Sequence, residues 1–157
     1  MSIIYPEFTA SSTTAVIPIG TEVQDPSTGY IYKYVQISAS SATAGSVGRA
    51  FYKTATANVV SDDYTGGDGL YNAPAGIGIS TIAKSSFGFI LIDGYYASLR
   101  KEASAAITAN DMLVGSTTDG AVTLKTAGEA LLIAAFGTCA ATVTAGTTTV
   151  SGMIKCR

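Results

Sequence analysis

Histidine and tryptophan are absent from the 157 residues, and cysteine occurs only twice. Charged side chains make up 13% of the chain, against roughly 25% in an ordinary globular domain. Each shortage excludes something. Without histidine a Ser-His-Asp arrangement cannot be built, and two distant cysteines do not supply a Cys/His zinc cluster. Lys84 and Ser85 are neighbours, but adjacent strand residues point to opposite faces and cannot act as a Ser-Lys pair. Gly66-Gly67-Asp68-Gly69 lacks the Lys and Ser/Thr of a phosphate-cradling loop. The formal net charge is −2. The basic residues are scattered, Arg100-Lys101 being the one adjacent pair, so the basic face that nucleic acid requires is missing. No apolar run reaches the ~20 residues of a membrane helix, and the start, MSIIYPEF, has no basic region of a signal peptide. Cys139 and Cys156 are expected to stay reduced, as in a protein assembled in cytosol. The chain reads as a non-enzymatic protein without cofactor or metal.

What is present is β-like. Few charges among many Ser, Thr, Ala and Gly leave a weakly hydrated surface, which suits a small Thr-rich β protein or a subunit covered by neighbours. The stretch 86–125 organises the rest. Phe87 to Ile92 is a buried strand by composition. Asp93-Gly94 then predicts a type I′ hairpin, because that turn needs φ > 0 at both central residues. Asp119-Gly120 predicts a second one. Asp25-Pro26-Ser27-Thr28-Gly29 is a turn. After it Tyr30, Tyr32 and Tyr34 point one way and Ile31, Lys33 and Val35 the other. That tyrosine stripe serves cross-strand packing, a subunit interface or a ligand platform.

Residues 54–74 read as irregular, with Asp62, Asp63 and Asp68 in a solvated loop that lacks EF-hand spacing. A short strand is expected at 76–83, another at 127–136, and a last one near the C-terminus. Residues 101–106 are too short for a secure helix. The expected architecture is all-β, an antiparallel barrel or jelly-roll-like sandwich. Residues 1–17 form an extended N-terminal arm, and 18–157 a single β domain. In the arm Ile3, Ile4, Tyr5, Pro6 and Phe8 are partner-binding candidates, since exposed apolar residues need cover; a first edge strand is the alternative.

Pro18-Ile19-Gly20 through Gln36, Ala44-Gly45, Ser86 through Gly94, Ile107 through Leu113 and Asp119-Gly120 together resemble the capsid decoration (cement) proteins of tailed bacteriophages. That family carries an early G…Y-x-Y-V pattern, an A-G-D-x-L element and a last C-terminal strand. The likeness covers most of the chain from residue 18 on and rests on turn glycines and strand patterns. Asn110 stands where the family usually has Gly, and Asn tolerates left-handed backbone. The resemblance implies a virion protein on the outer surface of a phage head, stabilising the capsid and assembled in the host cytoplasm. Its partners would be the major capsid protein and further copies of itself, usually in a homotrimer. Tyr30, Tyr32, Tyr34, Tyr95 and Tyr96 are the candidate subunit-interface anchors. Another virion part, such as a head-fibre base or tail protein, and a carbohydrate-binding module are the competing readings.

Overall fold

The computed structural model describes residues 7–41, 47–63, 69–124 and 135–156. Its described elements are strands, in the order β1 (Ser11–Ser12), β2 (Glu22–Gln24), β3 (Ile31–Ile37), β4 (Ala50–Thr54), β5 (Val59–Ser61), β6 (Gly69–Gly78), β7 (Phe87–Arg100), β8 (Met112–Gly115), β9 (Val122–Leu124), β10 (Gly137–Cys139) and β11 (Thr149–Lys155). The circuit β3–β5–β4–β6–β7 returns to β3, which closes a β-barrel. One joint, β3 to β5, is parallel; the other four are antiparallel. From β7 the sheet continues in the order β11–β10–β8–β9, while β2 pairs with β3 and β1 with β7. A parallel bridge from Lys101 to Val122 brings the end of β7 back to β9.

Strand β7 belongs to both parts. Its 14 residues extend over about 45 Å. Residues 87–93 pair with β3, and residues 93–100 pair with β11. The hairpin expected at Asp93-Gly94 is therefore not formed: the strand runs straight through and changes partner there. Asp93 stands opposite both Ile31 and Lys155. Gly94 has a different reason to be glycine. A Cβ placed on it would lie 2.6 Å from Cγ of Tyr30, and its φ is 142°. The ring of Tyr30 lies where a side chain would begin. The turn at Asp119-Gly120 does join β8 to β9, with Gly120 at φ 66°, but Asp119 is not at positive φ, so it is not of type I′.

Two corrections concern the segment around β6. Residues 69–74 belong to a strand rather than to an irregular loop, and the strand ends at Gly78 instead of running to residue 83. Pro74 is accommodated because the register with β4 shifts on either side of the Tyr52–Pro74 pair, and bulges are where a strand tolerates proline. Residues 101–106 form a turn and not a helix. The ammonium of Lys101, 2% exposed, donates to the carbonyls of Glu102 and Ala105. Of the strand expected at 127–136, residues 127–134 lie outside the described residues.

Alternation along β7 divides the core. Ile90 and Ile92 point into the barrel with Val35, Ile37, Phe51 and Val60. Leu91 and Leu99 face the other way, into a cluster with Tyr52, Ile77, Leu113, Phe136 and Ile154. The rings of Tyr52 and Phe136 meet edge to face at 5.4 Å. A buried polar cluster joins the Asp119-Gly120 turn to the barrel. Arg49 Nε lies 2.8 Å from Asp62 Oδ2, Ser41 Oγ donates to Asp62 Oδ1 at 2.7 Å, and Arg49 Nη2 donates to the Asp119 carbonyl at 2.9 Å. Asp62 is thus fully buried, not part of a solvated loop.

Candidate interaction surface

The sequence-predicted residues fall in three places. Ile3, Ile4, Tyr5 and Pro6 lie outside the described residues. Phe8 lies on the chain's own barrel. Its ring stacks on Tyr32 at 4.3 Å and meets Phe89 edge to face at 5.3 Å. Beyond it β1 pairs with Phe87 and Gly88 of β7, and the Val16 N–H donates to Tyr34 Oη at 3.3 Å. Residues 7–17 therefore cover one outer side of the barrel.

The tyrosine stripe has the alternation that its sequence predicts. Tyr34 is 2% exposed and packs on Phe89 at 5.1 Å, so it presents no ring to a neighbour. Tyr32 is half-buried under Phe8. Burial raises its phenol above the ordinary value, with smaller contributions from Asp25 and Tyr30. Tyr30 fills the space over Gly94. These rings pack against their own chain. Tyr96 is half-buried against the second cluster. Burial raises its phenol too, partly offset by a hydrogen bond from the Gly48 backbone. Tyr95 alone of the five is exposed, at 41%.

Tyr95 has company that the sequence did not reveal. On β11 Met153 stands directly opposite it; Thr138 of β10 stands opposite Met153; Met112 of β8 stands opposite Thr138. All four are exposed. Four neighbouring strands thus place Tyr95, Met153, Thr138 and Met112 in one row, about 15 Å long at the usual strand spacing. The alternate residues Tyr96, Ile154, Cys139 and Leu113 point toward the core below, and Leu99 joins them past the register shift in β7–β11 pairing. Ala97 and Ser98 extend the uncharged area on β7. Tyr and Met are enriched at the centres of protein interfaces, and Met adapts to irregular partners. No single stretch of sequence signals this row, because its members come together only through the register of four strands.

Among the described residues no cluster of three or more Cys, Asp or Glu could hold a metal ion, and no helix is long and apolar enough to cross a membrane. Cys139 and Cys156 are not joined; the Cys139 thiol donates to the Ala141 carbonyl and that of Cys156 faces the Phe136 carbonyl at 3.6 Å. Burial pushes the Cys156 thiol up to about 12. At the turn before β3, hydrogen bonds from Ser27 and Thr28 hold the Asp25 carboxyl below its usual value. Asn110 takes the left-handed conformation at φ 72°, which asparagine tolerates. The chain matches no protein-family model and no curated protein.

Proposed function

We propose that this chain is a non-enzymatic decoration protein that binds the outside of a phage head and stabilises the shell. The observation that carries the proposal is the exposed row Tyr95–Met153–Thr138–Met112, held on a sheet with its own core beneath it. A scaffold that presents a flat, uncharged, adaptable surface on paired strands is suited to docking on another folded surface. The family likeness adds the identity of that surface, the major capsid protein, and a homotrimeric arrangement around a threefold site. In this reading the row meets the shell or a neighbouring copy, and Ile3, Ile4, Tyr5 and Pro6 add a short N-terminal contact. Phe8 anchors that contact to the barrel.

The test is co-sedimentation with undecorated heads. A Met153→Glu change puts a charge at the middle of the row without touching the core. It is expected to weaken head binding at least tenfold, as a charge at an interface centre goes unpaired. Removing residues 1–6 should weaken it less and leave the fold intact. If Met153→Glu and Tyr95→Glu proteins both decorate heads like the parent chain, the row is not the contact. If the parent chain binds no head, the decoration reading fails.

A further inference from the structure

Among the described residues, nothing closes the end of the barrel where β3 begins and β4 finishes. A cavity of about 650 Å³ enters there, within the ~300–1,000 Å³ range of small-molecule sites. Its floor is aliphatic: Val35, Val60, Ala75, Ile90 and Ile92, all buried side chains of the barrel interior. Its rim is cationic. Strand alternation puts Lys33 on the same face of β3 as Val35. It likewise puts Lys53 on the same face of β4 as the buried Phe51. Both lysines line the cavity. An inward-facing lysine at a barrel end lays its methylenes along the wall and keeps its ammonium at the opening.

The two ammonium groups differ. Lys33 has a counter-charge, Glu22 Oε1 at 3.6 Å. Lys53 has no carboxylate within ion-pair distance among the described residues. Among the described residues that line the mouth, Lys33 and Lys53 are the cations and Glu22 the anion, above an aliphatic floor. A cation is repelled by this rim. A sugar would find too few polar partners below it.

We infer that the open barrel end binds a single aliphatic carboxylate, its chain on the Val35–Ile90–Ile92 floor and its head between Lys53 and Lys33. This site is separate from the exposed row and does not depend on head binding. The ligand chemistry follows from the juxtaposition of two inward lysines with a hydrocarbon cavity.

Isothermal titration calorimetry with hexanoate, octanoate and decanoate, each below its micelle concentration, tests the inference. Affinity should rise about fourfold per added methylene, hence roughly two-hundredfold from hexanoate to decanoate. The exposed Lys53 can be changed without disturbing the core. Lys53→Met should weaken octanoate about fivefold, as for a partly exposed ion pair, and leave 1-octanol unchanged. Amide NMR shifts on adding octanoate should centre on Val35, Ile90 and Ile92. No binding at millimolar decanoate, affinity independent of chain length, or shifts centred on residues 7–17 would overturn the site. Equal weakening of octanoate and octanol by Lys53→Met, or none of either, would overturn the carboxylate assignment.

Discussion

Removing the carboxylate of Asp62 should be among the most damaging single changes in this chain. Asp62 is 0% exposed and the side chain of Arg49 is 10% exposed, with Nε and Oδ2 2.8 Å apart. Ser41 donates its hydroxyl to the other carboxylate oxygen and takes the Asp62 N–H at 3.1 Å. The Gly120 N–H reaches the Asp62 carbonyl at 2.8 Å, and Arg49 reaches the Asp119 carbonyl. In Asp62→Ala the guanidinium stays buried without its counter-charge, and Ser41 loses an acceptor. Breaking a buried pair in this way costs about 3–5 kcal/mol. Against a total stability of about 5–15 kcal/mol that is a large fraction. It corresponds to a fall in Tm of roughly 6–20 °C for a chain of this size.

The assay is urea unfolding followed by far-UV circular dichroism, with the slope checked for a common two-state transition. Two controls separate the pair from simple loss of packing. Ser41→Ala removes one charge-assisted hydrogen bond and should cost about 1.5–3 kcal/mol. The double change Arg49→Met with Asp62→Leu removes both charges and should cost much less than Asp62→Ala alone. If Asp62→Ala costs under about 1 kcal/mol, or if the effects of Arg49→Met and Asp62→Leu made singly simply add in the double variant, the buried pair is not coupled and the reasoning fails.

Two further outcomes follow from the geometry. Gly94→Ala should destabilise by about 1–3 kcal/mol, because its Cβ meets the Tyr30 ring at 2.6 Å; Tyr30→Ala in the same chain should recover part of the loss, and an additive double variant would refute the contact. Cys156 should resist alkylation at pH 9: a thiol at about 12 instead of 9.0 holds roughly 500-fold less thiolate, the reactive form. Because its folded value is raised above the unfolded one, the stability that the neutral thiol preserves is fully present below pH 9 and declines as pH rises toward 12. Cys156→Ala should flatten that alkaline decline, and equal alkylation of native and unfolded chain at pH 9 would count against the assigned burial.

Local signals were legible in the sequence where the responsible neighbours are close in the chain. Period two sorted Tyr30, Tyr32 and Tyr34 from Ile31, Lys33 and Val35. The Asp25 turn formed as its residue types require, and Asp119-Gly120 turned the chain, though not in type I′. Asp93-Gly94 misled because the partner that demands glycine there is the Tyr30 ring, sixty-odd positions earlier. The Asp62 carboxylate looked like loop surface until Arg49 and Ser41 closed over it from other segments. Register explains the missed row as well: Tyr95 was visible as an aromatic residue, but Met153, Thr138 and Met112 become its neighbours only when β11, β10 and β8 pair in order.

The same long-range register makes the row a fixed surface rather than a loose patch. Strand β7 is shared by the barrel and the run β11–β10–β8–β9, and the Asp119-Gly120 turn is tied to the barrel through Arg49 and Asp62. Movement of β8 or β11 against β7 would break backbone pairing and expose Leu99, Leu113 and Ile154, all buried. A partner that docks on Tyr95, Met153 and Met112 therefore has to order side chains only, at about 0.5–1.5 kcal/mol for each rotamer-rich one. Tyrosine has few rotamers to lose, and Met112 and Met153, 44% and 48% exposed, return roughly half of the ~1.5–3 kcal/mol of a full burial. Gain and cost are therefore close at each methionine, and the surplus comes from a partner that covers Tyr95, Met153 and Met112 together on a surface that is already ordered.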